Sequence, residues 1–213
     1  MAIIWNITPG WQDCLAKAGL QTYEQALAFA DGRLLSRKSH SRTWLYTDGR
    51  DLRLFVKQDS STRLRTSLRS LLRFSRPVAA TQKERLKMER LRALGFQLAT
   101  VVAYGSRSRL GLPDTAVMIT LPVPGRPIDA IWRDASLPDD RRRSARDAGL
   151  HVLKQLQDLG CDWGKDCKPE HIFLTDDNQA SLIDVERMHF RRSPLARRDR
   201  ERQTERFLSL LAP

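Results

Sequence analysis

The stretch Asp166-Cys167-Lys168-Pro169-Glu170-His171-Ile172-Phe173-Leu174, with Ser181-Leu182-Ile183-Asp184 after it, decides how this chain is read. The apolar residues Ile172, Phe173 and Leu174 and a second run from Ala180 to Ile183 flank the polar turn Thr175-Asp176-Asp177-Asn178-Gln179. Two short apolar runs around such a turn predict a β-hairpin, with polar functional groups just outside each end. Asp166 lies five residues before His171 and Asp184 thirteen after it. A hairpin folds the chain back, so the segments carrying these three residues converge. Two carboxylates, an imidazole and a lysine are the groups that a metal–phosphate site uses. One carboxylate and the imidazole hold a divalent cation, the other carboxylate accepts a hydroxyl proton, and Lys168 neutralises phosphate.

This stretch resembles the catalytic and metal-binding segments of the protein-kinase-like superfamily, whose pattern is H-R-D-L-x-x-x-N followed by D-F-G. Gly164-Lys165-Asp166-Cys167-Lys168-Pro169-Glu170-His171 lies along the first motif and Asp184-Val185-Glu186 along the second, without a gap. Three departures stand out: Gly164 replaces the structural His, His171 the metal-binding Asn, and Val185-Glu186 the Phe-Gly pair. His171 makes the loop similar to that of the bacterial lipopolysaccharide kinases of the InaA/WaaP type, where D-C-x-x-x-H is followed by I-D. The resemblance implies an α+β, protein-kinase-like two-lobed fold, with a small β-rich N-lobe and a minimal helical C-lobe. It divides the chain into an N-terminal helical cap (1–31), an N-lobe (32–121) and a C-lobe (122–213).

By the same resemblance Asp166 is the catalytic base and Lys168 its phosphate-neutralising neighbour. Asp184 and His171 are the metal ligands. Lys57, at the end of the alternating run Leu52 to Lys57, matches the third-strand lysine that pairs with nucleotide phosphates. Glu84 is the helix-borne partner of Lys57, with Glu89 as the alternative. Within residues 80–94, Glu84, Met88 and Leu91 share one helical stripe, and a glutamate on an apolar stripe needs a cation. Thr81 with Glu84 also has the spacing of a capping box. Asp199, within Arg197-Arg198-Asp199-Arg200, is expected to brace the catalytic loop. No glycine occurs between Ser36 and Thr43, so the Gly-rich clamp of the protein kinases is missing. The implied cofactors are ATP and Mg²⁺, with Mn²⁺ as the alternative because imidazole is a poorer ligand for Mg²⁺ than oxygen. The implied acceptor is a sugar hydroxyl of the lipopolysaccharide inner core, heptose or similar.

Composition agrees with that frame. The chain has 213 residues, 41% hydrophobic and 29% charged, and a net charge of +12. Its arginine clusters, Arg141-Arg142-Arg143 and the series from Arg191 to Arg206, suit a polyanionic partner: a phosphorylated glycolipid, an anionic membrane face or nucleic acid. Aromatic residues do not interleave with these clusters and no nucleic-acid motif is present, which disfavours nucleic acid. No apolar run approaches the length of a membrane span, and the start has no basic n-region of a signal peptide. Three cysteines without metal-ligand spacing suit reduced thiols. The expected location is cytoplasmic, with peripheral contact at the cytoplasmic face of the inner membrane. The altered motifs leave a second reading open, a pseudokinase that binds nucleotide without transferring phosphate.

Elsewhere the pattern predicts a helix around Trp11, Leu15 and Ala18, a second one capped by Thr22 and Gln25, and strands over 33–36, 43–46, 52–57, 98–105 and 116–121. The segment 59–77 reads as a basic, leucine-bearing amphipathic stretch. A long helix over 137–160, capped by Ser136 or Ser144, is expected to bury Ala148, Val152, Leu156 and Leu159.

Overall fold

The computed structural model describes residues 1–60, 78–109 and 112–212. The amphipathic stretch expected over 59–77 therefore lies, from 61 onward, outside the described residues. The chain forms two compact units, one of residues 1–86 with 100–122 and one of 87–99 with 123–213.

The first unit is built on an antiparallel six-stranded sheet, in the order β1-β6-β7-β4-β3-β2. Its strands are β1 (Ala2–Ile7), β2 (Arg33–Lys38), β3 (Ser41–Thr47), β4 (Arg53–Asp59), β6 (Val101–Arg109) and β7 (Leu112–Thr120), while β5 (Gln97–Leu98) belongs to the second unit. Helices α1 (Gln12–Lys17) and α2 (Tyr23–Ala28) carry Leu15, Tyr23 and Ala26 into a core with Leu54, Val56, Val102, Ala103, Val117 and Ile119. Thr22 caps α2 as expected: its side chain accepts from the Gln25 amide and the Gln25 side chain answers at the Thr22 amide. The helical cap expected over 1–31 is incomplete as a description, because residues 2–7 are a strand paired with β6 from Ala2↔Ser108 to Ile7↔Ala103. Gly105 makes that pairing compatible with α2, since a Cβ there would lie 2.4 Å from the Ile4 carbonyl oxygen and against Tyr23.

Strand β4 alternates cleanly. Leu54, Val56 and Gln58 are buried together. Gln58 Nε2 donates to the carbonyls of Ala26 (2.9 Å) and Phe29 (2.8 Å), and its Oε1 accepts from Trp44 Nε1 at 3.0 Å. One buried amide thus ties up carbonyls at the end of α2 that the helix leaves unpaired. Lys57 and Asp59 lie at the alternate positions of the strand.

Helix α3 (Ala80–Ala93) begins two residues earlier than a Thr81 cap would require. Thr81 therefore sits inside the first turn, and its amide donates to Asp59 Oδ2 at 2.7 Å. The Thr81–Glu84 capping box does not form, because Asp59 takes the amide-capping role from another strand and Glu84 is engaged by Lys57.

The second unit holds the sheet β5-β11-β10-β8, a two-stranded ribbon β12-β9 and three helices. The strands are β8 (Arg126–Pro127), β9 (Cys161–Asp162), β10 (Ile172–Leu174), β11 (Ala180–Leu182) and β12 (His189–Phe190). The helices are α4 (Ile128–Arg133), α5 (Asp139–Asp158) and α6 (Arg197–Ser209). The expected hairpin is present as β10 and β11, paired Ile172↔Leu182, Phe173↔Ser181 and Leu174↔Ala180. Neither proposed serine caps α5: Ser136 hydrogen-bonds Asp134 and Ser144 lies within the helix, accepting from Asn178. Its buried stripe is also rotated from the expected one. Ala145, Gly149, Val152, Leu153 and Leu156 face inward, whereas Leu159 is exposed. Gly149 sets this rotation, since Ile128 and Phe207 pack within 2.5 and 2.7 Å of where a Cβ would stand.

Replacing Gln58 by Leu removes three buried hydrogen bonds while keeping the volume. The expected loss is about 2–3 kcal/mol of unfolding free energy in urea titration; parental stability would contradict the role given to this amide.

Candidate active site

In the second unit, two single turns of 3₁₀ helix, Gly164–Asp166 and Pro169–His171, lead directly into β10. The first turn begins at Gly164 with φ +58°, a conformation that glycine adopts without steric cost. Its amide donates to Asp162 Oδ1 at 3.1 Å. Asp162 is itself buried, accepting from Gln203 Nε2 at 2.7 Å and pairing with Arg191 at 2.6 Å. Arg206 Nε adds a bond to the Lys165 carbonyl at 2.9 Å. Helix α6 therefore holds the loop through Gln203 and Arg206. Asp199, expected as the brace, reaches it only through Arg191, at 3.4 Å.

The loop delivers Asp166 with its side chain mostly buried and one carboxylate oxygen 3.5 Å from Arg187 Nε. His171 is buried, and its Nδ1 lies 2.8 Å from the Asp166 carbonyl oxygen. A carbonyl only accepts, so Nδ1 carries the hydrogen, and Nε2 points the other way. There it meets Asp184 Oδ2 at 3.7 Å and Glu170 Oε1 at 3.5 Å. Hairpin register makes this meeting, because the Ile183 amide donates to the His171 carbonyl at 3.0 Å just before Asp184.

Asp184 has φ +50°, left-handed backbone that a side chain rarely adopts. Buried Trp163 secures it, donating from Nε1 to the Asp184 carbonyl at 3.3 Å. Val185 and Met188 are buried on either side of Glu186 and Arg187, and Lys87 donates to the Glu186 carbonyl. Such a conformation costs on the order of 1–3 kcal/mol and persists where its surroundings over-determine it.

Lys168 pairs with Glu170 at 2.8 Å, and this hydrogen bond holds the Glu170 carboxyl below its ordinary pKa. Cys167, inside the loop, is buried, and burial pushes its thiol up to about 12; Cys161 is pushed up to about 11 for the same reason. Thiols so far from ionisation are packing groups, not nucleophiles.

In the first unit, Lys57 Nζ donates to Glu84 Oε2 in a largely buried ion pair. Glu84, not Glu89, is the partner. The pair and the Asp59–Thr81 bond fix the start of α3 one helical turn apart on the helix and two residues apart on the strand.

The structure thus brings together Asp166, His171 and Asp184 in one unit, with Lys168 turned to Glu170, and Lys57 with Glu84 in the other. Asp162, Trp163, Glu170, Arg187, Arg191 and Gln203 escaped the sequence reading. The apolar neighbours Cys161 and Trp163 were a signal that Asp162 is buried; Gln203, in an arginine-rich segment, had none. Among the described residues no group of three or more His, Cys, Asp and Glu side chains is arranged to hold a metal alone. His171 Nε2 and Asp184 Oδ2, 3.7 Å apart, are groups that could share an ion which keeps its waters and takes further oxygens from phosphates.

Residues 35–211 match the lipopolysaccharide kinase (Kdo/WaaP) family, and the chain belongs to that family. It is a kinase, with the α+β kinase-like fold. Its fold is similar to that of a solved structure of WaaP in complex with acyl carrier protein, with a TM-score of 0.64 and 19% identity, over 99% of this chain and 79% of that one. No curated protein matches the chain. Among the described residues, no helix is long and apolar enough to cross a membrane.

Asparagine tolerates left-handed backbone and a β-branched residue does not. Asp184→Asn is expected to unfold in urea within about 0.5 kcal/mol of the parent, whereas Asp184→Val loses about 1–3 kcal/mol. Equal stabilities would remove the argument that the backbone here is held under strain.

Proposed function

We propose that this kinase transfers the γ-phosphoryl group of ATP to a sugar hydroxyl of the lipopolysaccharide inner core, heptose or a related residue. The observation that carries the reading is the convergence of Asp166, His171 and Asp184 at the mouth of one hairpin, with His171 Nδ1 committed to the Asp166 carbonyl.

Lys57, held by Glu84, orients the nucleotide phosphates. Its ammonium needs an anionic partner in a partly buried position, and Glu84 supplies one. Asp184 and His171 Nε2 are the ligands for Mg²⁺, or for Mn²⁺, which imidazole suits better. When bound, the cation neutralises charge on the phosphates and keeps them in line with the acceptor. Asp166 accepts the proton of the acceptor hydroxyl as it attacks phosphorus. Lys168 exchanges Glu170 for the equatorial oxygens of the transferring phosphoryl group. The missing Gly-rich clamp leaves phosphate contacts to backbone amides and to the side chains of the turn between β2 and β3. Residues 32–121 and 122–213 act as the nucleotide and acceptor lobes, with helices α1 and α2 of residues 1–31 as a cap on the first.

The net charge of +12 supports an anionic glycolipid acceptor and peripheral contact with the cytoplasmic face of the inner membrane. The pseudokinase reading has less support, since Lys57, Asp166 and Asp184 are all retained.

The test is ATP turnover with Mg²⁺ or Mn²⁺, with and without purified lipopolysaccharide core, for the parent and Asp166→Asn. Core-stimulated transfer that falls at least about 100-fold in the variant is expected, because general-base loss typically costs 10²–10⁴-fold. Nucleotide binding without transfer to any core would instead make the protein a pseudokinase or a kinase of another acceptor.

A further inference from the structure

Arg187 has no place in the chemistry derived above, yet it forms an ion pair with Asp166 from outside the loop. Its Nε lies 3.5 Å from Asp166 Oδ2, and its side chain is 70% exposed. An ion pair this long and this exposed contributes little to folding. The backbone beneath it is nevertheless tightly defined. Val185 and Met188 are buried, the Met188 amide donates to the Val185 carbonyl at 3.1 Å, and Lys87 fastens the Glu186 carbonyl. The next residues, His189 and Phe190, pair with Asp162 and Cys161 in the ribbon that also holds the catalytic loop. A guanidinium is therefore presented to solvent from a pinned turn, beside the carboxylate that must receive the acceptor hydroxyl.

We infer that Arg187 is a specificity-determining residue that binds an anionic substituent of the acceptor close to the reacting hydroxyl. This rests on the proposed phosphotransfer at Asp166. The chemistry is direct. An acceptor hydroxyl within hydrogen-bonding reach of Asp166 brings its neighbouring substituents to the guanidinium, whose fork of donors matches phosphate or carboxylate oxygens. Arg187 then leaves Asp166, so the base loses a competing cation at the moment it receives the hydroxyl. A neutral sugar leaves Arg187 on Asp166, where it competes for the same oxygen. Anionic acceptors are favoured for both reasons. Lys168 does not duplicate this role, because on leaving Glu170 it is committed to the transferring phosphoryl group.

The experiment is a binding cycle by calorimetry, with phosphate transfer measured in parallel. Native lipopolysaccharide core, the same core dephosphorylated with hydrofluoric acid, and a carboxyl-reduced core are each titrated into the parent, Arg187→Ala and Arg187→Lys. The parent is expected to bind native core at least about tenfold more tightly than the core lacking the recognised anion, the size of one charge-assisted contact. Arg187→Ala should lose that preference, leaving the two cores nearly equal, while its KM for ATP is unchanged. Arg187→Lys should recover part of it. Whether dephosphorylation or carboxyl reduction abolishes the preference identifies the anion. Equal weakening of all cores in Arg187→Ala, or no change at all, overturns the inference while parental transfer to core still upholds the phosphotransferase reading. A parent that binds no core overturns both.

Discussion

The hydrogen bond from His171 Nδ1 to the Asp166 carbonyl is the constraint on which the site depends. It fixes the peptide that carries the Asp166 carboxylate and commits one imidazole nitrogen to structure, leaving the other turned to Asp184 and Glu170. An imidazole tied to a backbone carbonyl in this way is a pre-oriented ligand. The asparagine of the protein-kinase pattern has an amide donor and a carbonyl oxygen for the same two tasks, on a shorter side chain. The departure at residue 171 is thus matched by a geometry that uses the longer side chain. Trp163 does the corresponding work for Asp184, holding its carbonyl while the backbone stays left-handed.

Polar tethers, more than apolar contact, fix the beginning of α3. The helix is attached to β4 by the Lys57–Glu84 pair and by Asp59, which takes the Thr81 amide. Each group is buried enough to need its partner, so the helix has one favourable register on the strand. Sliding it by a residue would strand a carboxylate and an ammonium in poorly solvated positions, at a cost of several kcal/mol. Helix register and the satisfaction of buried charge are here the same requirement.

Much of this was legible in the sequence where the signals were local. The hairpin announced itself through two apolar runs around a polar turn, and Glu84 through its place on the apolar stripe of a helix. The strand β1 was not legible: its residues are mostly exposed and pair about a hundred positions away with β6, so neither periodicity nor neighbours reveal it. The stripe of α5 was misplaced for a related reason. Gly149 looks like a poor core residue in sequence, yet the close approach of Ile128 and Phe207 requires it. The bracing of the loop by Asp162, Arg191 and Gln203 depends on α6 returning to the loop, a tertiary fact with no local trace. The loss of the pattern's His at Gly164 becomes intelligible only with that network in view. Glycine makes the left-handed turn, and buried Asp162 holds its amide.

The central claim is that His171 Nε2 and Asp184 together receive the divalent cation while Nδ1 stays on the Asp166 carbonyl. The most direct measurement is a nitrogen NMR spectrum of the histidine side chains, with paramagnetic Mn²⁺ added in the presence and absence of a non-hydrolysable ATP analogue. The account predicts that Nδ1 of His171 is the protonated nitrogen, and that Mn²⁺ with nucleotide selectively broadens the Nε2 signal of His171. An Nε2 signal left sharp by Mn²⁺ and bound nucleotide would contradict it.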